Sequence, residues 1–555
     1  MLRNAARHRA YSSIRESHPA CHAARPNDKT SYLSLILNSK VYDVAVETPL
    51  QHAQFLSKSL NNNVLLKRED TQSVFSFKIR GAYNKLANID KSLLKNGIVA
   101  CSAGNHAQGV ALAARKLGVP ATIVMPLATP DIKVNSVRAH GKEFVKVKLF
   151  GQNYDEAAGE ASRLVTEKSM VMVHPFNDPH VIAGQGTIGM EIIKQTNSEI
   201  ITEGKPLSKI FVCCGGGGML AGIAAYVKRV RPEVMVIGVE AADAAGMTRS
   251  MEAGKVVTLA EVGLFADGAA VRTVGDETFR VCNELVDDMV TVSTDEICNA
   301  IKIAYNDTRC VLEPAGALAA AGLKKYVEAN GIRGETLVAI TSGANMDFDR
   351  MRFVSERADD SEKMLSVTIP EEPGSFRKLY SLLHPRNVTG FSYRKVCDRD
   401  AKIFMTFQPL KSVEGDFEKV LGLLGENRYC VSDVSDNYLA KTHVRYMSGG
   451  RRGRGKAGGK GVSNDSDKPR LNERLFRIKF PESPGALERF LNSLKISWNV
   501  SLFHYRNHGD DFGRVLVGLE CEWGEDGKLM DAFLDEVGFS WVEETSNDMY
   551  EGFLK

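Results

Sequence analysis

The chain has 555 residues, a net charge of +3 at pH 7, 25% charged and 43% hydrophobic residues. That length exceeds what one hydrophobic core serves, so two to four domains are expected. The small net charge gives no reason to expect a nucleic-acid partner, and no uninterrupted apolar run is long enough to span a bilayer.

The first 25 residues carry Arg3, Arg7, Arg9, Arg15 and Arg25 against one acid, Glu16, with Ser12, Ser13 and several alanines. This Arg-rich, acid-poor composition is that of an organelle transit peptide, and Arg9-Ala-Tyr-Ser-Ser13 resembles a mitochondrial processing site cut after Tyr11. Residues 1–40 are therefore expected to be a transit peptide and extension addressed to the mitochondrial matrix, in preference to a plastid.

From about Val41 the sequence alternates short apolar runs with helical patterns. Ile98-Val-Ala100 leads through a Ser-Ala-Gly turn into an Ala-rich helix from Ala107 to Lys116, and Ala121–Met125 is the next strand. Ile210–Val212 enters a glycine run, then a helix Leu220–Arg229 and a strand Val234–Val239; Leu337–Ile340 is a further strand ended by Ser342-Gly343. Strand–turn–helix repetition predicts an α/β domain of parallel strands over 41–360, with ligands at the carboxyl ends of the strands.

A different texture begins near Met364. Val367-Thr-Ile-Pro-Glu-Glu-Pro-Gly-Ser-Phe is echoed by Ile478-Lys-Phe-Pro-Glu-Ser-Pro-Gly-Ala-Leu about 111 residues later, an internal duplication of strand, turn and amphipathic helix. Modules are expected over 364–447 and 473–555. Between them, 448–472 holds Gly449-Gly-Arg-Arg-Gly-Arg-Gly-Lys-Ala-Gly-Gly-Lys460 and almost no apolar anchor, which predicts a flexible linker. An RGG-like strand-binding tail would interleave aromatics, and none are there.

Three segments carry chemistry. Gly215-Gly216-Gly217-Gly218 follows a strand and opens a helix, where bare amides and the helix dipole favour a phosphate. Alone it also satisfies a relaxed dinucleotide fingerprint, with Glu240 at the distance expected for a ribose contact, so NAD is a rival ligand. In Ser76-Phe-Lys-Ile-Arg-Gly-Ala82, Lys78 lies among apolar neighbours that favour a neutral amine able to attack an aldehyde; its bland alternative is a snorkelling surface lysine. In Ser102-Ala103-Gly104-Asn105-His106, backbone amides with the Ser and Asn side chains form a pocket for a carboxylate, or simply a helix cap. Glu313, before Pro314, is a candidate base, but a helix-start carboxylate stabilised by the dipole is the favoured reading. The ten cysteines never form a C-x-x-C pair, and adjacent Cys213-Cys214 suit neither a shared metal nor an ordinary bridge; oxidation near the glycine run is an expected consequence.

Together with Thr341-Ser-Gly-Ala-Asn345, these runs resemble the fold-type II pyridoxal-phosphate enzymes, a two-lobed, tryptophan synthase β-like α/β fold with parallel sheets. The duplicated tail, with Asp433-Val-Ser-Asp436 and Phe503-His-Tyr-Arg506, resembles the regulatory half of the biosynthetic threonine deaminase family, a tandem of α+β ferredoxin-like, ACT-like modules. The resemblance implies pyridoxal 5'-phosphate held as a Schiff base on Lys78, with Asn105 beside the ring's phenolic oxygen, Gly215–Gly218 around the phosphate and Ser342 against the ring nitrogen. It implies that Ser102, Ala103, Gly104, Asn105 and His106 grip the carboxylate of L-threonine, with L-serine as a second substrate. It further implies a homotetramer inhibited by isoleucine, with valine opposing. A serine dehydratase or racemase, or an amino-acid sensor with a dead catalytic domain, are the competing readings.

Overall fold

The computed structural model describes residues 31–348, 350–358, 362–370, 375–395, 400–410, 412–435, 437, 439–440, 471–481, 499–506, 512–522, 531–532, 534–535 and 538–550. Most of the expected transit peptide and linker, and the two Pro-Gly turns of the duplication, lie outside the described residues. Two compact units divide the chain, the first ending at 294 and resuming over 303–345, the second taking 295–302 and 346 onward.

In the first unit the strands are β1 (Leu50–His52), β2 (Asn63–Lys67), β3 (Ile98–Cys101), β4 (Ala121–Met125), β5 (Val145–Leu149), β6 (Val171–Met172), β7 (Leu207–Cys213), β8 (Met235–Ala241), β9 (Asp288–Val292) and β10 (Thr336–Ile340). They form a six-stranded sheet in the order β1-β2-β10-β7-β8-β9 and a four-stranded sheet in the order β5-β4-β3-β6. All neighbours run parallel except β1 with β2. Parallel strands are covered on both faces, which is why β2, β3 and β10 are buried throughout and carry the apolar runs Val64–Leu66, Ile98–Cys101 and Leu337–Ile340.

Helix Pro179–Gln195 packs against both Lys78–Ala87 and Gly218–Val230, and the last of these also lies on β7 and β8. Pro179–Gln195 starts where its sequence dictates, with Pro179 in the first turn and Asp178 accepting from the amides of His180 and Val181 at 2.9 and 3.2 Å. At Gly184 a Cβ would stand 2.8 Å from the Arg80 carbonyl, so only glycine lets this helix approach Lys78–Ala87 so closely.

An ionic cluster sits in that packing. Arg80, completely buried, donates to both oxygens of Glu69 at 2.7 Å and to Glu191 at 2.5 and 3.0 Å, and Lys67 donates to Glu191 at 2.6 Å. Two carboxylates face two cations, so the cluster is neutral as a whole, as deep burial demands.

The second unit contains two antiparallel sheets. Strands β11 (Lys363–Pro370), β12 (Asn387–Lys395), β13 (Asp400–Gln408) and β14 (Cys430–Asp433) lie in the order β12-β13-β11-β14, and helices Ser375–Leu383 and Asp416–Glu426 fall between them in sequence, which is a ferredoxin-like β-α-β-β-α-β unit. Strands β15 (Leu471–Pro481), β16 (Asn499–Arg506), β17 (Phe512–Glu522) and β18 (Ser540–Glu543) repeat the order as β16-β17-β15-β18, with β15 beginning two residues inside the expected linker.

The repeats meet across one buried cluster of Met364, Phe404, Val434, Leu439 and Ala440 with Leu475, Leu516, Met549 and Tyr550. The local bonding is duplicated as well. Met364 N–H donates to Ser435 Oγ as Leu475 N–H does to Thr545 Oγ1, and the Asn437 side-chain amide reaches Asn547 across the seam at 3.1 Å. Chemically the halves differ: Arg477 and Asn547 both donate to Glu544, whose counterpart is Val434, and Tyr550, whose counterpart is Ala440, donates to Glu473.

Candidate active site

Lys78 opens its helix because the segment before it is pinned along the end of β10. Ser76 forms a bridge with Gly343, and Phe77 N–H donates to Ser342 O at 3.2 Å. The residue as a whole is half-buried, but its amine is enclosed: Nζ donates to Pro175 O at 3.2 Å and lies 5.1 Å from the Phe77 ring centre. Burial pulls its pKa down to about 8, against smaller opposing effects of Cys213 and Glu313. This is an amine poised near neutrality, and it does not snorkel to the surface.

The Ser102–His106 turn follows β3 directly. Ser102 Oγ accepts from Gly104 N–H at 3.2 Å and folds the turn, and the helix Asn105–Leu117 begins with Gly104 at its cap position. A Cβ on Gly104 would meet nothing within 4 Å, so this edge of the turn faces open space, with Ser102 and Ala103 half-buried beside it. The His106 ring points away. It is bonded to Val173 O at 2.9 Å, and burial, with the nearby Lys78 charge, drops its pKa to about 3, so His106 offers an anion its backbone amide and not an imidazolium. Gly109, one turn on, lies against the Lys78 backbone, which brings this helix and the lysine together.

Gly215–Gly218 continue from β7 into the helix Gly218–Val230. A Cβ on Gly216 would collide with the Phe176 ring, one on Gly215 would stand 2.9 Å from the Ala269 backbone, and Gly217 has a left-handed φ of 89°. The amides of Gly215, Gly216 and Gly217 find no protein acceptor among the described residues. A bare cradle of this kind at a helix N-terminus fits the phosphate of pyridoxal 5'-phosphate. The enclosed, nearly neutral amine of Lys78 fits its aldehyde, and buried Ser76 Oγ has no hydrogen-bond partner among the described residues. The dinucleotide alternative loses its ribose contact. Glu240 is fully buried and spends both oxygens on the amides of Met247 and Thr248 and the Thr248 hydroxyl.

Ser342, just past the end of β10, is buried and donates to Ala315 O at 3.3 Å. It approaches Lys78 through Phe77 and Cys213 at the end of β7. Two expectations change here. Cys213 and Cys214 are buried, and burial pushes the Cys213 thiol up to about 12 and Cys214 well above its ordinary value, which weighs against the oxidation sensitivity expected of them. Glu313 stands at the cap position of helix Pro314–Asn330 but makes no side-chain cap bond; its carboxylate turns to Asn105.

The opposite wall carries no motif that the sequence makes legible. Pro175 and Phe176 link Lys78 to the glycine cradle, and a loop over 258–273, closed at its neck by Thr258 with Thr273 and Leu259 with Arg272, presents Gly268 and Ala269 to the site. The run of small residues Phe265-Ala-Asp-Gly-Ala-Ala270 was the available signal, but nothing local says that such a run faces a ligand.

Residues 41–343 match the family described as "Pyridoxal-phosphate dependent enzyme", and residues 354–444 and 466–554 match the "C-terminal regulatory domain of Threonine dehydratase". The chain is 50% identical over 526 residues (94% of this chain, 99% of the relative) to the L-threonine dehydratase biosynthetic IlvA of Burkholderia multivorans. It is 49% identical over 535 residues (96% of this chain, 85% of the relative) to the mitochondrial threonine dehydratase of Schizosaccharomyces pombe. Among solved structures, the processed form of threonine deaminase isoform 2 from Solanum lycopersicum matches with a TM-score of 0.56 and 48% identity, covering 59% of this chain and 87% of that one. A cradle, an enclosed lysine and a doubled regulatory fold thus coincide with matches along nearly the whole sequence, and the chain belongs to the biosynthetic threonine dehydratases, pyridoxal-phosphate dependent enzymes with a C-terminal regulatory domain.

Proposed function

We propose that the chain is a threonine ammonia-lyase that converts L-threonine to 2-oxobutanoate and ammonia as the committed step toward isoleucine. The observation that carries this reading is the enclosed Lys78 amine, with a pKa near 8, beside a glycine cradle and a carboxylate-sized turn. Pyridoxal phosphate, when bound, supplies a conjugated ring able to disperse negative charge from Cα. The chain's residues do the rest. Gly215–Gly218 would hold the phosphate with backbone amides, Asn105 would sit by the ring's phenolic oxygen, and Ser342 would face the ring nitrogen. A hydroxyl there is too weak an acid to keep that nitrogen protonated, which favours prompt elimination over transamination. Ser102, Ala103, Gly104, Asn105 and the His106 amide orient the substrate carboxylate. Lys78 Nζ, freed as a neutral amine, takes the Cα proton. The β-hydroxyl takes up a proton equivalent to the one lost from Cα and departs as water, a water returns to the released enamine, and ammonia leaves, so threonine gives 2-oxobutanoate and ammonia in balance.

The tandem modules bind isoleucine, which favours a less active state, with valine opposing; by linkage, substrate weakens isoleucine binding reciprocally. The assembly is a homotetramer, and the Arg-rich leader directs it to the mitochondrial matrix, in keeping with the mitochondrial S. pombe relative.

The purified protein should show a visible absorption band that borohydride abolishes, leaving a reduced adduct on Lys78. Lys78→Ala should be colourless and inactive, and oxoacid release should be faster from threonine than from serine. A colourless wild-type chain, or one indifferent to threonine, defeats the reading. A chain ending at Met364 should keep turnover and lose the isoleucine response; a truncated enzyme still inhibited at a separate site would sink the regulatory assignment.

A further inference from the structure

Glu313 is a buried carboxylate that the mechanism above leaves without a task. It occupies the cap position of helix Pro314–Asn330, where a side chain normally accepts from the first-turn amides, and it makes no such bond. Its Oε1 instead accepts from Asn105 Nδ2 at 2.5 Å. Space for that carboxylate is reserved by Gly343, where a Cβ would collide with Oε1. The main chain is tied at the same place, Glu313 N–H donating to Gly343 O at 3.2 Å.

The bonding order around Asn105 is fixed by chemistry. Val74 O can only accept, so Asn345 must turn its NH2 toward it, and the same NH2 donates to Asn105 Oδ1 at 2.7 Å. A carboxylate likewise only accepts, so the Asn105 NH2 must face Glu313. Asn105 is thereby held at both ends, and one N–H of its amide is left without an acceptor among the described residues. The same carboxylate acts by charge on Lys78.

We propose that Glu313 is a positioning residue of the active site, its carboxylate fixing the Asn105 amide so that its second N–H meets the cofactor's ring oxygen, and setting the charge felt at Lys78 Nζ. The ring-oxygen half rests on the reading under Proposed function; the charge at Lys78 does not.

Two variants separate these roles in the full-length chain. Glu313→Gln keeps an oxygen for Asn105 and removes the charge; Glu313→Asp keeps the charge and draws it back by one methylene. After cofactor removal, the pH dependence of Lys78 reductive methylation by formaldehyde and cyanoborohydride, read by peptide mass spectrometry, gives the midpoint of the amine. Removing a negative charge makes the ammonium easier to deprotonate, so the midpoint falls in the Gln variant. If it falls by one pH unit from about 8, labelling at pH 7 speeds up roughly fivefold. The Asp variant keeps the wild-type midpoint. In threonine turnover both variants lose about tenfold or more in kcat with KM within about threefold.

A Gln variant whose midpoint stays at the wild-type value overturns the proposal whatever its activity, and so does a lowered midpoint with unchanged kcat. If the Gln protein does not accumulate, the Asp variant decides: wild-type kcat overturns the proposal, and a reduced kcat with an unmoved midpoint supports it. A wild-type chain that makes no oxoacid from threonine defeats the functional reading and leaves the labelling test standing.

Discussion

Replacing Arg80 by leucine isolates the cost of a buried charge two residues from the proposed cofactor lysine. The guanidinium makes four bonds of 3.0 Å or less to Glu69 and Glu191, with Thr187 and the Val46 carbonyl at 3.1 and 3.2 Å. Without it, two carboxylates face Lys67 alone, and one negative charge is left uncompensated where no water reaches. Breaking a buried pair in this way costs about 3–5 kcal/mol, a large share of the roughly 5–15 kcal/mol that holds a domain folded. The pH dependence supplies a second signature. Burial pushes the Glu191 carboxyl up, but Arg80 and Lys67 together hold it below its ordinary value. Its contribution is therefore fully present above the unfolded carboxyl pKa and lost only as pH falls through the lower folded value. In Arg80→Leu only Lys67 is left to hold it, the Glu191 carboxyl protonates more readily, and the gap between variant and wild type should narrow from pH 7 to pH 5. The three tryptophans, Trp498, Trp523 and Trp541, all lie in the regulatory half. Urea unfolding followed by bound-cofactor absorbance thus reports the catalytic unit, with tryptophan fluorescence as the internal control. A loss below about 1 kcal/mol, or a gap that does not change with pH, would refute the argument.

Gly216→Ala drives a methyl into the Phe176 ring and should cost about 1–3 kcal/mol of cofactor affinity, roughly a 5- to 150-fold rise in Kd by equilibrium dialysis; unchanged affinity would mean that the cradle does not carry the phosphate. Because the Lys78 amine must be neutral to react, cofactor capture by the apo-protein should accelerate as pH rises through about 8, and a rate flat from pH 6 to 9 would contradict its enclosure. Exposed Cys430 should react with a thiol reagent in the native protein while Cys213 and Cys214 wait for unfolding; equal labelling rates would show that the interior near the glycine run is open.

Much of the fold was legible because parallel strands announce themselves. Ala121–Met125 matches β4, and the expected strand at Ile210–Val212 is the centre of β7. Two helices start before their apolar periodicity does: Asn105 and Gly218 already belong to their helices, since glycine occupies the cap position in both, and glycine gives a weaker start signal than Ser or Asp. The chemical residues were legible as motifs, but their orientation was not. Nothing in the sequence says that His106 turns to Val173, that Glu313 abandons its helix for Asn105, or that Glu240 caps the helix Gly246–Ala253. Each of those choices is made by partners more than 60 residues away or by the geometry of a turn, which local propensity does not encode.

The seam between the regulatory repeats shows how far the duplication has travelled from its origin. Two copies of the second module would bring two Tyr550 rings to a place that now holds one ring and the Ala440 methyl, whereas two copies of the first would leave that volume empty. Arg477 and Glu544 would likewise be doubled or lost together. The two modules are unequal partners at this seam, each presenting side chains that the other lacks. A substitution on one side of the cluster is therefore felt by the side chain packed against it on the other.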